Sequence, residues 1–317
     1  MGLWVLPFYQ AWLLNILPPL CIKPMKKCIT MRSLGSNGRF GNQIFQYAFM
    51  RFYARMHGLL YQVPCWEGQE IFGLDDPPIS VDLPVVKVRS KAELDCACAK
   101  MPLFGIDFWG YFQETAYFLH DKNFFYDLFQ PNPELDRYLN GCWASLQGHE
   151  VIGLHLRYGD YGYAYFFETP IRWVIDELER RWRTFSSPIL YLATDDQRAC
   201  KALKKFSPVL CADIFPTSER ERCPTFYADF WALSKENSLL IIANSSFSFA
   251  AAMLNHNCQK MLRPSLASQG LIPFDPWDSP VLLRQTNGWL NFVAKHPTFL
   301  RHYNNLRRHF LFNWNCH

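Results

Sequence analysis

Val151-Ile-Gly-Leu-His-Leu-Arg-Tyr-Gly-Asp-Tyr161 is the stretch whose reading decides the fold. Its apolar run predicts a buried β-strand. His155, Arg157, Gly159 and Asp160 come straight after it, so an imidazole, a guanidinium and a carboxylate sit at the strand's exit. In open α/β sheets ligands bind outside the C-terminal ends of the strands. Arg157 offers a planar fork of donors that matches a pair of phosphate oxygens, and Gly159 permits a sharp turn beside it. The competing reading of the same residues is a surface ion pair.

Two further apolar runs behave alike. Residues 188–194 predict a second buried strand ending at Asp195-Asp196, and residues 238–243 a third, ending in Asn244-Ser-Ser-Phe-Ser248. Between them, residues 170–184 form an amphipathic helix pattern, with Ile171, Val174, Ile175, Leu178 and Trp182 on one face. Helices are also predicted over 196–205, 225–235 and 249–254, and a short strand over 209–212. Alternation of buried strands and helices implies a parallel, doubly wound sheet. Its strand ends share one edge, so the clusters His155/Arg157/Asp160, Thr194/Asp195/Asp196 and Asn244/Ser245/Ser246/Ser248 are expected to line one crevice. Hydroxyls and free N–H groups at a helix start make an anion seat, aided by the helix dipole. A plain N-cap is the alternative, although a cap needs only one such residue. Asp229 is a helical acid among aromatics, either solvated or accepting hydrogen bonds from a base or ribose.

The first half opens with an alternating strand over 28–34, a glycine-rich loop over 35–41, and a helix from Asn42 to Gly58 in which Ile44, Phe45, Tyr47, Ala48, Phe52 and Met56 recur at helical spacing. Prolines break residues 59–113 into short pieces, residues 122–139 are aromatic and helical, and Gly148 closes the half. The loop Gly38-Arg-Phe-Gly-Asn-Gln43 places a cation and an amide at a helix start, but fits neither the P-loop nor the dinucleotide fingerprint. No D-x-D pair occurs, so no metal is expected to bridge a nucleotide diphosphate; the protein's own cations would neutralise it.

At 317 residues, half hydrophobic and 19% charged, the chain has material for two cored domains. A net charge of +4 is too mild for a nucleic-acid partner. Eleven cysteines without a C-x-x-C pair suit neither a zinc site nor a disulfide framework. The sequon Asn244-Ser-Ser lies in an apolar context read as internal. Reduced thiols and a cytoplasmic location are therefore expected, with membrane anchoring in a secretory compartment as the alternative. Residues 3–22 carry no charge, but Pro7 and Pro18 leave a helix of ten residues between them. Ten residues span ~15 Å against a hydrocarbon core of ~30 Å. An extension over residues 1–24, in peripheral contact with a membrane and with Met25 a functional start, is expected. The other expected divisions are domains over 25–148 and 149–285, and a helical tail over 286–317 packing back on them.

Four motifs occur in the order of the α-1,2-fucosyltransferase family: Gly38-Arg-Phe-Gly-Asn-Gln-Ile-Phe-Gln-Tyr-Ala48, Gly110-Tyr-Phe-Gln113, His155-Leu-Arg-Tyr-Gly-Asp160 and Ile242-Ala-Asn-Ser-Ser-Phe-Ser248. The chain resembles that family over residues 25–262, and the first, third and fourth motifs also resemble the peptide O-fucosyltransferases. Two departures stand out: Tyr158 where a second Arg often follows, and Ala250 after Phe249 where a second aromatic is common. The resemblance implies a GT-B fold, two Rossmann-like domains facing across a cleft. It also implies inverting transfer of L-fucose from GDP-β-L-fucose to a glycan hydroxyl, the 2-OH of a galactoside foremost, without metal or other cofactor. Alternatives are another GDP-sugar donor, or a glycan-binding relative without turnover. By the same resemblance Arg157 binds the β-phosphate, and Ser245, Ser246 and Phe247 hold the diphosphate together with Asn244 and Ser248. Arg39, Phe40, Gly41 and Asn42 close from the other domain, and Asp229 contacts the nucleoside. Asp195 is a further donor-side residue. His155 and Asp160 join Arg157 as catalytic candidates, as proton acceptors for the acceptor hydroxyl.

Overall fold

The computed structural model describes residues 27–162, 166–216, 222–235, 237–258 and 260–284. The expected N-terminal extension over 1–24 and the tail over 286–317 lie outside them. Two mostly parallel sheets carry the fold. The first contains β1 (Cys28–Thr30), β2 (Leu60–Gln62), β3 (Val85–Lys87) and β4 (Ile106–Trp109), ordered β2-β1-β4-β3 and parallel throughout. The second contains β5 (Glu150–Leu156), β6 (Pro188–Thr194), β7 (Leu239–Ile241), β8 (Met261–Ser265) and β9 (Gly270–Pro273), ordered β6-β5-β7-β8-β9. Only β9 runs antiparallel, against β8.

Helices pack around these sheets: α1 (Phe40–His57), α2 (Gly68–Ile71), α3 (Lys91–Ala97), α4 (Lys122–Leu128) and α5 (Pro133–Trp143) in the first lobe, then α6 (Ile171–Trp182), α7 (Gln197–Ala202), α8 (Cys211–Ile214), α9 (Thr225–Ser234) and α10 (Ser246–Leu254) in the second. Strand β5 is buried from Val151 to Leu156 and β7 over its whole length, as parallel strands covered on both faces require. Helix α1 starts two residues earlier than the periodicity implies. It ends at Gly58, whose left-handed backbone (φ 60°) lets its N–H close on the carbonyls of Ala54 and Arg55.

Three segments depart from the sequence reading. The strand expected over 28–34 stops at Thr30, because the buried Asp107 of β4 accepts from Thr30 Oγ1 at 2.6 Å and from Arg32 N at 2.8 Å and draws the chain off the ladder. The strand expected over 209–212 is reduced to a bridge between Val209 and Tyr191, since the Asp213 carboxylate takes the N–H of Leu210 at 2.7 Å and starts α8 instead. The hairpin β8–β9 has no alternating pattern, because Pro264 and a buried Arg263 stand inside β8.

The lobes share a seam. Gly41 of α1 lies so close to α10 that a Cβ there would stand 2.4 Å from Phe247 N and 2.5 Å from Phe247 Cα. Beside it Phe40, almost fully buried, packs its ring on Trp66 and Phe72 of its own lobe and on Phe226, Tyr227 and Phe230 of α9, at 5.1–6.5 Å between centroids. Much of the chain's aromatic content is therefore core and seam.

Candidate functional site

Register fixes the site's frame. Leu156 pairs with Thr194 and Leu154 with Ile241, so the chain leaves β5, β6 and β7 at one edge of the second sheet. Arg157, Asp195 and the loop 242–246 emerge there. Facing them is the N-terminus of α1, brought in by the Gly41 contact. Together they bound a cleft of about 570 Å³.

Arg157 is mostly buried and gripped on two sides, by Asp160 at 2.7 Å and Asp195 at 2.9 Å. Burial works against its charge, yet the two carboxylates outweigh that and hold the guanidinium firmly protonated. Asp195 also accepts the backbone N–H groups of Tyr158 (2.9 Å) and Gly159 (3.0 Å), which pins the turn. A Cβ on Gly159 would meet Asp195 Oδ2 at 2.5 Å, so only glycine admits this approach. Asp160 reaches across the cleft as well, its other oxygen 3.2 Å from Arg39 of the first lobe. Tyr158, in the place of a second arginine, is turned into the core, its hydroxyl 3.3 Å from the Thr169 carbonyl oxygen.

The serine loop is a true helix start. Ser245 is the N-cap of α10 and accepts from Phe247 N at 3.3 Å. Ser246 Oγ donates to Asn42 Oδ1 at 2.8 Å, and Gln113 Nε2 donates to the same oxygen at 2.6 Å. The N-terminal turns of α1 and α10 thus meet head to head, and α1 has no side-chain cap. Each helix start leaves N–H groups without intrahelical acceptors and carries partial positive charge. Two such ends in van der Waals contact, flanked by Arg39 and Arg157, form a strongly anion-seeking locus.

Deeper in the cleft lie His155 and Asp229. The His155 ring is buried 5.3 Å from Phe247, its Nδ1 has no partner, and burial pushes its pKa down to about 4 even against the pull of Asp195. It is a neutral hydrogen-bonding group at neutral pH, not a ready proton acceptor. Burial pushes Asp229 up to about 7, although Tyr191 Oη donates to it at 2.8 Å.

The cleft brings together Arg39, Phe40, Gly41 and Asn42 with His155, Arg157, Asp160, Asp195, Asp229, Ser245, Ser246 and Phe247. Two expected donor-site residues stand elsewhere. Asn244 is fully buried, accepting from Arg263 Nη2 (3.1 Å) and Leu283 N (2.8 Å) and donating to Leu283 O, so it ties the segment around residue 283 to β8. Ser248, also fully buried, bonds back to Ala243 O. Thr194 lines the cleft as its strand-end cluster implies, and Glu67, Tyr161, Thr225 and Phe226 line it without having been expected there. Thr225 and Phe226 precede Asp229 by one helical turn, a spacing visible in the sequence; Glu67 has no such signal.

Among the described residues no three His, Cys, Asp or Glu side chains are grouped as metal ligands, the cysteines are free thiols, and no helix is long and apolar enough to cross a membrane. No family model matches the chain, and no curated protein matches it in sequence. Solved structures match it in fold. NodZ alpha-1,6-fucosyltransferase soaked with GDP-fucose superposes with a TM-score of 0.54 at 13% identity, covering 79% of this chain and 99% of its own. A structure of fucosyltransferase NodZ from Bradyrhizobium gives 0.51 at 14%, with the same coverage. FUT1 of Arabidopsis thaliana, in complex with GDP, gives 0.52 at 12%, covering 78% of this chain and 74% of that one. The architecture of this chain is accordingly the GT-B fold of fucosyltransferases.

Proposed function

We propose that this protein is an inverting glycosyltransferase that moves L-fucose from GDP-β-L-fucose to a glycan hydroxyl, the 2-OH of a galactoside. The observation that carries the reading is the meeting of the α1 and α10 N-termini at Gly41 and Phe247, between Arg39 and Arg157. Like helix ends repel unless an anion sits between them, and a diphosphate supplies one. Similarity of fold to a fucosyltransferase soaked with GDP-fucose supports the choice of donor. The four sequence motifs favour the α-1,2 linkage over the alpha-1,6 specificity of that neighbour.

In this reading Ser245, Ser246 and the Phe247 N–H hold the diphosphate, and Arg39 and Asn42 close on it from the first lobe. Arg157 contacts the β-phosphate. Glycosyl transfer passes through an oxocarbenium-like state in which the departing phosphate gains charge, and a fixed guanidinium aimed at that charge lowers the barrier. Asp195 spends both oxygens on the turn and on Arg157, so it is a positioning residue, not a donor ligand. Asp160 holds Arg39 and Arg157 apart in charge until the diphosphate competes for them. Asp229, beside the aromatic wall of α9, accepts N–H donors of the guanine edge.

The test pairs ligand binding with turnover. GDP should raise the melting temperature while UDP and ADP leave it unmoved, because a ligand that binds only the native state stabilises it by mass action. Arg157→Ala should fold normally and lose roughly a hundredfold or more in transfer, about 3 kcal/mol of lost charge stabilisation. A UDP-only shift, or near-wild-type turnover in Arg157→Ala, removes the proposal.

A further inference from the structure

We propose that Glu67, in the first lobe, is the general base that takes the proton of the acceptor hydroxyl. The inference rests on the fucosyl-transfer reading above and concerns the half of the reaction that reading leaves without a residue.

Elimination among the acids of the cleft comes first. Asp160 has one oxygen on Arg157 and the other on Arg39, so neither is left to meet an acceptor hydroxyl. Asp195 has both oxygens committed to the backbone and to Arg157. Asp229 lies deep in the second lobe on Tyr191, on the nucleoside side. His155 is buried and held neutral. Glu67 alone among these groups comes from the opposite wall, and among the described residues it forms no ion pair.

Position and rigidity come next. Glu67 is the N-cap residue of α2, exposed at the surface and lining the cleft beside the buried Gln43 of α1. Its two neighbours fix its backbone. Trp66 is buried, stacked on Tyr47 at 4.8 Å between centroids, and Gly68 lies so tightly on the Trp66 ring that a Cβ would stand 2.2 Å from it. Partial burial raises the Glu67 pKa above the ordinary carboxylate value against the opposing pull of Gln43, which strengthens it as a proton acceptor.

Inverting displacement needs a base on the face of the sugar away from the leaving group. Glu67 lines the same cleft as the α1–α10 junction and Arg157, from the first-lobe side. The acceptor oxygen bonds to the anomeric carbon as the bond from that carbon to the β-phosphate oxygen breaks. The electron pair leaves with GDP, and the hydroxyl proton passes to the Glu67 carboxylate.

The experiment measures GDP release from GDP-fucose by the full chain and by Glu67→Gln, with phenyl β-D-galactoside as acceptor and with water alone. It is paired with the thermal shift produced by GDP. The base assignment expects turnover in Glu67→Gln to fall about 10²- to 10⁴-fold, with the donor KM and the GDP shift unchanged. Azide carries no proton to remove, so GDP release driven by azide should persist in Glu67→Ala. Turnover within tenfold of wild type in Glu67→Gln overturns the inference. So does loss of the GDP shift, which would make Glu67 a donor-side or structural group. An inactive wild type that ignores GDP would instead bring down the underlying reading.

Discussion

Gly41→Ala isolates the feature on which the site depends. The added methyl carbon would lie 2.4 Å from Phe247 N, 2.5 Å from Phe247 Cα and 2.9 Å from Ser246 C. All three are backbone atoms, so no side-chain rotation relieves the clash. Ordinary contact begins near 3.4 Å, so the ends of α1 and α10 must part by about 1 Å, a displacement that typically costs around a hundredfold in rate when it falls between catalytic groups. Overpacking of this kind also costs ~1–3 kcal/mol of stability. Parting the helices breaks the Ser246–Asn42 hydrogen bond and pulls Arg39 away from the proposed phosphate seat. Gly141→Ala is the matched control: it lies in α5 with nothing within 4 Å of its Cβ position and should gain up to ~1 kcal/mol from helix propensity. Thermal unfolding and GDP-fucose turnover, measured on both variants, decide the matter. A Gly41→Ala protein with wild-type melting temperature and wild-type rate would refute the head-to-head geometry.

The other expectations concern charge. Asp229 is held near 7 by burial, above its unfolded value, so the native state binds its proton more tightly. Stability should therefore fall as pH rises from about 4 to 7, with Asp229→Asn removing that slope in chemical denaturation. If guanine donors select the ionised form, GDP-fucose should bind roughly 25-fold tighter at pH 7.5 than at 5.5; Asp229→Asn should be flat in the same titration calorimetry, and a pH-independent wild type would count against the nucleoside contact. Turnover should persist in EDTA, since Arg39 and Arg157 line the proposed diphosphate seat and the chain has no D-x-D pair; complete loss restored by a divalent metal would point to a different donor site. The Arg157 and Glu67 variants complete the set and separate donor from acceptor chemistry.

What was legible in the sequence follows from how each signal is encoded. Strands β5, β6 and β7 announce themselves because both of their faces are buried, which writes a continuous apolar run ending where polar residues begin. Arg157, Asp195 and the serines were visible for the same reason. Asn244 and Ser248 look identical to Ser245 and Ser246 in one dimension. Which of the four faces the cleft depends on how the first turn of α10 is rotated, and on Arg263, nineteen residues away, claiming the Asn244 oxygen. Residues 209–212 read as a strand by composition, yet one carboxylate on Asp213 redirects them.

Local order along the chain was thus sufficient to determine a strand–loop–helix opening in the first half, a parallel sheet in the second, and the polar strand ends that gather at one edge of it, because periodicity and strand-end chemistry are written over a few consecutive residues. Only the tertiary structure decided that α1 enters that edge head-on, that Phe40 locks the lobes together, and that Glu67 lines the same cleft as Arg157. Those relations join residues as many as about two hundred positions apart, as Asn42 and Ser246 are. They are set by packing between lobes, for which no short-range pattern exists.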